Sequence, residues 1–363
     1  MRITKLLIAC GLLILLPTSA LALAVCERNV DTVEIHHING MFTDNSAFNN
    51  NKLAIEEFLS TYFTGWDFDF DVSGTYNLSE PVFEQILQVA RHKLQDANAA
   101  TRLAIKQFLN DDPEYLNDPD GIAAVQDFLT DINAAYTGIL AEDDARKAKA
   151  SLVSLLDSCA RVVLITHSQG NFYGNALFND LYAGYVFPNG YSLAQYPMLG
   201  TIQIASPVYT PGGAAGTVYP EVVGHVTNNN DIVMTMIRYV LGGSVEANYN
   251  ASYNSQDFTG HALELSYLKQ PGQAEEIAGN LARIVFNLTP FPLHGQNAAD
   301  SSAMQGYGYS GINRYLDIQF TSGAVYRYSE VPAMAFDGLH GASSQGSYFN
   351  EVVRNVYPFK KLE

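Results

Sequence analysis

Short apolar runs rich in β-branched residues alternate along the chain with longer stretches whose apolar residues recur every three or four positions. The short runs predict buried strands and the longer stretches predict amphipathic helices, an alternation typical of a mostly parallel α/β sheet. After a Pro-rich stretch near residue 290, short alternating strands at residues 316–320 and 324–328 predict a second, smaller unit. The strands predicted for the first unit are residues 33–38, 66–72, 162–165, 200–205 and 222–226. The predicted helices are residues 53–62, 79–94, 101–109, 122–140, 143–156, 261–268 and 274–286.

The strand at residues 162–165 leads into a turn with the sequence Thr-His-Ser-Gln-Gly, and helix-forming residues follow. This strand–turn–helix context is the one a nucleophile elbow requires, in which a strained turn lifts a serine hydroxyl above the sheet. Small residues are needed two positions before and after that serine, which is Ser168. Gly170 meets the second requirement, whereas Thr166 departs from the pattern Gly-x-Ser-x-Gly. The alternative interpretation is a buried strand that ends in an ordinary turn.

A nucleophilic serine needs a base, and the base needs an acid that orients it. Downstream of a nucleophile elbow, the acid comes first in the sequence and the histidine follows. Asp231 comes directly after the predicted strand at residues 222–226 and is our candidate acid. The alternative role for Asp231 is that of an N-cap residue that begins a helix. His261 is our candidate base by order and elimination, because His225 falls within that strand.

An oxyanion hole needs two backbone donors. The N–H of Gln169, directly after the serine, is the first candidate. The second is the N–H of Met41, which follows Asn39 and Gly40 at the end of the first strand. A simple strand-ending turn is the alternative interpretation of this Asn-Gly pair.

The start of the chain has the pattern of a secretory signal. Arg2 and Lys5 precede an apolar run at residues 6–16, and small residues around position 22 fit a cleavage site. We therefore expect residues 1–24 to be removed and the protein to be exported to the periplasm or the cell exterior, with no transmembrane anchor in the mature chain. A lipoprotein site at Cys10 is the less favoured alternative, because Cys10 lies inside the apolar run.

The net charge of the chain argues against one class of partner. With 20 Lys and Arg against 37 Asp and Glu, the net charge is −17, so we do not expect nucleic acid as a partner.

In an oxidising compartment we expect Cys26 and Cys159 to form a disulfide, because each shortly precedes a predicted strand and both would lie at one sheet edge. Two unpaired buried thiols are the alternative.

The four motifs together resemble the α/β-hydrolase superfamily, on its lipase and esterase side. They are Asn39-Gly40-Met41, the elbow at residues 167–170, Asp231 and His261. The resemblance implies a doubly wound, mostly parallel sheet over residues 25–288, which here carries a long helical insertion at about residues 44–158. We expect the insertion to shape an acyl pocket over Ser168 and to gate it; the alternative is that its helices pack on the outside of the sheet.

Residues 300–363 resemble the KTSC domain, a small α+β module named after the C-terminal region of some lysyl-tRNA synthetases. Residues 289–299 are then a linker. Gln345 stands where the family pattern has a lysine. This module is expected to bind a protein or an envelope component. The matching segments are residues 316–320, 322–328, 331–332, 342–350 and 354–358.

The combined expectation is an exported serine hydrolase that cleaves carboxylic esters of lipid or other acyl type through a Ser-His-Asp triad, without metal or cofactor. The apolar insertion favours an acyl substrate over a sugar or a peptide. Two alternatives stay open from the sequence: an acyltransferase with the same triad, and a non-catalytic binding scaffold of the same fold.

Overall fold

The computed structural model describes residues 30–39, 45–66, 70–76, 98–109, 117–124, 143–241 and 244–363. A parallel five-stranded sheet with the order β2-β1-β3-β4-β5 organises the first unit, which we call the α/β unit. Its strands are β1 (Val33–Ile38), β2 (Phe70–Thr75), β3 (Arg161–His167), β4 (Leu199–Ile204) and β5 (Val223–Val226). Strands β1, β3 and β4 are buried at every position. β3 is mostly apolar, as expected for a strand covered on both faces, whereas β1 and β4 also bury polar residues such as Glu34 and Gln203.

Helices cover both faces of this sheet. Gly200 of β4 lies against Ile284 on one face, whereas Gln203 of the same strand donates a hydrogen bond to Asn175 on the other. Residues an odd number of positions apart point to opposite faces of a strand, so the two helices that carry these partners flank the sheet. The helices of the unit are α1 (Asn45–Tyr62), α2 (Ala99–Leu109), α3 (Asp143–Asp157), α4 (Gly170–Gly184), α5 (Gly213–Val218), α6 (Ile232–Leu241) and α7 (Pro271–Asn287).

The insertion differs in part from the expectation of a helical lid. It contributes an edge strand, β2, which pairs with β1 along its whole length. This strand begins at Phe70, four residues after the start of the predicted strand at 66–72. The apolar side of α1 packs into the main core through residues such as Ile55 and Phe58, so α1 supports the sheet. The predicted helix at residues 79–94 and most of the one at 122–140 lie outside the described residues.

The second unit is a five-stranded antiparallel sheet with the order β10-β9-β8-β7-β6. Its core is separate from that of the α/β unit and includes Tyr307, Leu316 and Phe349. Its strands are β6 (Asn297–Ala298), β7 (Met304–Ser310), β8 (Tyr315–Phe320), β9 (Val325–Tyr328) and β10 (Phe359–Lys361), and its helices are α8 (Ala333–Gly341) and α9 (Gln345–Tyr348).

The segment at residues 289–299, which we expect to be a linker, differs from a free linker in being packed. Phe291 and Leu293 are buried in the core of the α/β unit, and the segment ends as strand β6 of the antiparallel sheet. Apolar side chains within the Pro-rich stretch explain the difference, because burial of Phe291 and Leu293 fixes the chain between the two units.

Two observations concern the predicted export features. Cys159 is disulfide-bonded. Its predicted partner, Cys26, and the predicted signal at residues 1–24 lie outside the described residues. Among the helices that the structure describes, none has the length and apolar content needed to cross a bilayer.

Candidate functional site

The site is built on the turn between β3 and α4. Ser168 has a left-handed backbone with φ of 55°, a conformation that costs a non-glycine residue roughly 1–3 kcal/mol. A Cβ at position 170 would lie 2.6 Å from the carbonyl oxygens of Ile38 and Asn39, so glycine is required there. The turn is therefore strained, and it is held against the end of β1.

Thr166, the departure from the usual elbow pattern, is accommodated by a second glycine. A Cβ at position 174 would lie 2.8 Å from Thr166 Cγ2, so the absent side chain of Gly174 makes room for the threonine methyl group. Thr166 Oγ1 donates a hydrogen bond to Asn171 Oδ1 over 2.6 Å, and Asn171 Nδ2 donates to the Ser168 carbonyl oxygen over 2.8 Å. The threonine thus helps to brace the turn that carries Ser168.

The structure brings the three candidate triad residues together. His261 Nε2 lies 3.0 Å from Ser168 Oγ, and His261 Nδ1 lies 2.8 Å from Asp231 Oδ2. A carboxylate accepts only, so Nδ1 carries the proton and Nε2 is left to accept from the serine hydroxyl. Asp231 is fully buried and Ser168 nearly so, whereas His261 is partly exposed. The arrangement can transfer the serine proton to the imidazole.

Asp231 makes the contacts that both of the roles considered from the sequence require. Its Oδ1 accepts the backbone N–H of Met234 over 2.9 Å, which makes it the N-cap of α6. Its Oδ2 accepts from His261 and, over 3.0 Å, from the hydroxyl of Tyr267. Burial raises the pKa of Tyr267 well above its ordinary value, so the phenol stays a donor to Asp231. The capped helix and the phenol together fix the carboxylate that orients the base.

Asp257, which the sequence analysis missed, organises the loop that carries His261. Its carboxylate accepts from the backbone N–H groups of His261 (2.9 Å) and Ala262 (2.8 Å), and from the hydroxyls of Thr259 (2.5 Å) and Ser266 (2.7 Å). Burial acts to raise the pKa of Asp257, but these hydrogen bonds outweigh it and lower the pKa to about 2. The Asp-Phe-Thr-Gly-His sequence contains an Asx-turn signal that could have indicated this role.

His167 also contacts the candidate base. Its Nε2–H donates to the backbone carbonyl oxygen of His261 over 2.8 Å, and the two ring centroids lie 4.8 Å apart. Burial, and then the neighbouring His261, lower the pKa of His167 well below its ordinary value. A neutral imidazole therefore ties the loop of the base to the residue next to the nucleophile.

The two predicted oxyanion donors differ in what the structure describes. Gln169 is the N-cap of α4 and has helical φ and ψ of −54° and −32°, so its amide lies at the positive end of that helix. Met41 lies outside the described residues, but Asn39 at the end of β1 is described and, with Ile38, abuts position 170. The segment that leads to Met41 thus starts beside the elbow.

Several of the other described histidines have hydrogen-bond partners outside the candidate triad. His36 bonds to Ser73 and Thr75, His37 to the Ile165 carbonyl oxygen, and His340 to Tyr307. His225 lies on β5, one of the strands behind the site. Within the described ranges, no three His, Cys, Asp or Glu side chains are grouped so that they could hold a metal ion.

Comparison with known proteins concerns the antiparallel unit. The KTSC domain family model matches residues 300–357. A protein of Tsukamurella paurometabola is 42% identical over 55 residues, which are 15% of this chain and 82% of that protein. A lysine–tRNA ligase of Nostoc punctiforme is 32% identical over 63 residues, which are 17% of this chain and 11% of the ligase. The crystal structure of a KTSC domain protein from Yersinia pestis has 31% identity and covers 18% of this chain and 94% of its own, with a TM-score of 0.18.

The position where the sequence departs from the KTSC pattern is well defined in the structure. Gln345 is buried, accepts from the backbone N–H of Asp300 over 2.7 Å, and donates to the Tyr307 hydroxyl over 3.0 Å. A glutamine makes both contacts at a position where a buried lysine could donate but not accept. Through residues 300–357, this chain belongs to the KTSC domain family.

Proposed function

We propose that the α/β unit is a serine hydrolase of the α/β-hydrolase superfamily that cleaves carboxylic esters through an acyl-enzyme. The observation that carries the proposal is the hydrogen-bonded chain from Ser168 Oγ through His261 to Asp231, with links of 3.0 Å and 2.8 Å. Further support comes from the strained, left-handed backbone of Ser168 at the end of a buried parallel strand. Strain of this kind is concentrated at functional sites.

The first half-reaction forms the acyl-enzyme. Ser168 Oγ attacks the ester carbonyl carbon while its proton passes to His261 Nε2, and the carbonyl oxygen becomes an oxyanion. We assign the backbone N–H of Gln169 and the predicted N–H of Met41 to this oxyanion. The intermediate then collapses: the C–O bond to the alcohol breaks, the alcohol takes the proton from His261, and the acyl group remains on Ser168.

The second half-reaction releases the acid. Water gives a proton to His261 Nε2 and attacks the acyl carbon; the bond to Ser168 Oγ then breaks, and the serine recovers its proton from His261. Asp231 accepts the Nδ1–H of His261 in both halves. It therefore keeps the tautomer in which Nε2 can accept a proton, and it stabilises the imidazolium that forms.

An apolar acyl group is the substrate class that we propose. Phe258 is 73% exposed and lies three residues before the catalytic base, and Ile232, next to Asp231, is 47% exposed. The Ile232 backbone N–H donates to the Thr259 carbonyl oxygen over 2.9 Å, so the backbone segments that carry these two side chains are adjacent, next to Asp231 and His261. Exposed apolar groups at the rim of a site are suited to contact an acyl chain.

The test is turnover of p-nitrophenyl esters of increasing acyl length, with and without an added alcohol. We expect the free acid as product, loss of turnover in Ser168→Ala, and a raised KM for long but not short chains in Phe258→Ser. Val218→Ser, which alters another exposed apolar residue, is the matched control. Full activity in Ser168→Ala would contradict the proposal, and an ester of the added alcohol as main product would indicate acyl transfer instead.

A further inference from the structure

The two units meet at the turn between β7 and β8, residues 310–314, which we call the docking turn. It contacts Asp31, just before β1, and Arg161, the first residue of β3. The docking turn thus lies at the amino ends of the parallel strands. Because β3 ends at His167 and a strand rises about 3.3 Å per residue, this contact is roughly 20 Å from Ser168.

An apolar side chain of the docking turn is shared with the α/β unit. Ile312 is 8% exposed and belongs to the hydrophobic core of the α/β unit. Ile312 is absent from the hydrophobic core of its own unit, which includes the nearby residues Leu316 and Val331. Ile312 is therefore buried only when the two units are in contact.

A buried arginine is satisfied from both sides of the contact. Arg161 is fully buried, and its guanidinium donates to Ser310 Oγ over 2.8 Å and to Asn313 Oδ1 over 2.6 Å. From its own unit it reaches the carbonyl oxygens of Val30 and Leu288. A buried cation that loses part of its hydrogen bonds is strongly destabilising, so the docking turn is needed to hold this arginine in place.

Further hydrogen bonds connect the docking turn to Asp31 and to the end of α7. The Gly311 N–H donates to Asp31 Oδ2 over 2.6 Å, and the Ser310 hydroxyl donates to Asp31 Oδ1 over 2.7 Å. Asn313 Nδ2 donates to the Phe286 carbonyl oxygen over 3.0 Å, at the end of α7. The last carbonyl groups of a helix lack partners within the helix, so the docking turn caps α7.

We infer that the antiparallel unit, which contains the KTSC domain, is a protein-docking module and that the docking turn is the part that recognises its partner. The docking turn binds a surface at the amino ends of the strands of a parallel α/β sheet. That surface contains a buried arginine, a carboxylate, the last carbonyl groups of a helix and apolar residues that bury Ile312. Its partner in this chain is the α/β unit. The connecting segment also contributes, since the Leu293 N–H donates to Asp317 Oδ2 over 2.8 Å and Arg327 Nη2 donates to the Phe291 carbonyl oxygen over 3.1 Å. The docking turn supplies the contact that does not depend on that segment.

The test separates the contact from the covalent connection. A site for a sequence-specific protease is inserted after Gly295, which is exposed and lies in a turn. After cleavage we expect the two fragments of the otherwise unchanged chain to co-elute in size-exclusion chromatography, and those of Ile312→Ser to separate. Val356→Ser, an exposed apolar position of the same unit, is the control and should co-elute. Separation of the fragments without any substitution would overturn the inference.

A measurement on the uncut chain covers variants that do not withstand cleavage. Trp66 is the single tryptophan of the chain and stacks on Phe286, so its fluorescence reports unfolding of the α/β unit. We expect Ile312→Ser and Asn313→Ala to lower the urea midpoint at Trp66, and Val356→Ser to leave it unchanged. An unchanged midpoint in both docking-turn variants would contradict the inference. Neither readout depends on ester turnover.

Discussion

The two sheets differ in the arrangement of their buried polar groups. Around the candidate triad, several buried side-chain atoms have no hydrogen-bond partner, among them His37 Nε2, His167 Nδ1 and Asn228 Oδ1. In the antiparallel unit, Asp317 and Arg327 pair directly, with Arg327 Nη2 and Asp317 Oδ2 2.7 Å apart, although Arg327 Nη1 has no hydrogen-bond partner. Unpartnered buried atoms and left-handed non-glycine residues thus occur in both units, and what distinguishes the parallel sheet is the hydrogen-bonded candidate triad at the carboxyl ends of its strands.

The largest effect should come from the nucleophile. Ser168→Ala should lower ester turnover by about 10⁴–10⁶-fold with the fold intact, since the serine supplies the attacking oxygen. Adding His261→Ala or Asp231→Asn to that variant should cause little further loss, because the three residues act as a unit. Ser347→Ala, on an exposed serine of the antiparallel unit, is the control for steady-state kinetics. Comparable losses in both serine variants would remove the contrast between the two sheets.

The matching test in the antiparallel sheet concerns stability. Asp317→Asn leaves Arg327 buried beside a neutral group and should cost about 3–5 kcal/mol of unfolding free energy. The turnover number per folded molecule should not change, because the pair has no part in the chemistry. Urea unfolding and active-site titration measure the two quantities. A variant of unchanged stability would show that this pair does not hold the unit together.

Stability of the parallel sheet should depend on pH. Burial, the main cause, lowers the pKa of His36 and of His37 from 6.5 to about 4. Between pH 6.5 and about 4, each of these histidines is more protonated in the unfolded chain than in the folded protein. The free energy of unfolding is therefore highest above pH 6.5 and falls as the pH is lowered towards 4. The loss should be roughly 3 kcal/mol for either histidine. Urea unfolding across this range should show a shallower slope in His36→Gln; an equal slope would refute the assignment.

The smallest effect is expected at the loop of the base. Asp257→Asn keeps one acceptor oxygen but loses the charge that holds the backbone N–H groups of His261 and Ala262. The imidazole should be less well placed, with a loss in kcat of about 10²-fold or less and little change in KM. Asp337→Asn, in the antiparallel unit, is the matched control. An unaltered kcat would mean that Tyr267 and Asp231 fix the base without Asp257.

Much of the architecture follows from local sequence patterns. Short segments rich in β-branched residues predict strands β1, β3, β4 and β5 within one or two residues, and the clearest of them is β3, whose central residues are all apolar. The candidate triad could also be predicted from local sequence. Ser168 and Asp231 each follow a predicted strand, and His261 is the histidine that the order along the chain and elimination select. Edge strand β2 was placed too early, because half-buried edges carry a weaker pattern.

The rest depends on contacts between distant parts of the chain. Arg161 bonds to Ser310, 149 residues away, and nothing in the sequence near either residue indicates the pair. Phe291 and Leu293 lie in a Pro-rich stretch that is typical of a linker, yet the structure buries both. Gly174 makes room for Thr166 from the next helix, a compensation that becomes visible only when strand and helix are packed.

The most direct test of the central claim is covalent labelling with a fluorophosphonate, which reacts with an activated serine. The account predicts one adduct, located by peptide mass spectrometry on the peptide that contains Ser168, and its loss in Ser168→Ala and strong slowing in His261→Ala. Native-like circular dichroism of the variants serves as the folding control. Absence of an adduct on the folded protein, or an adduct on a different serine, would contradict the account.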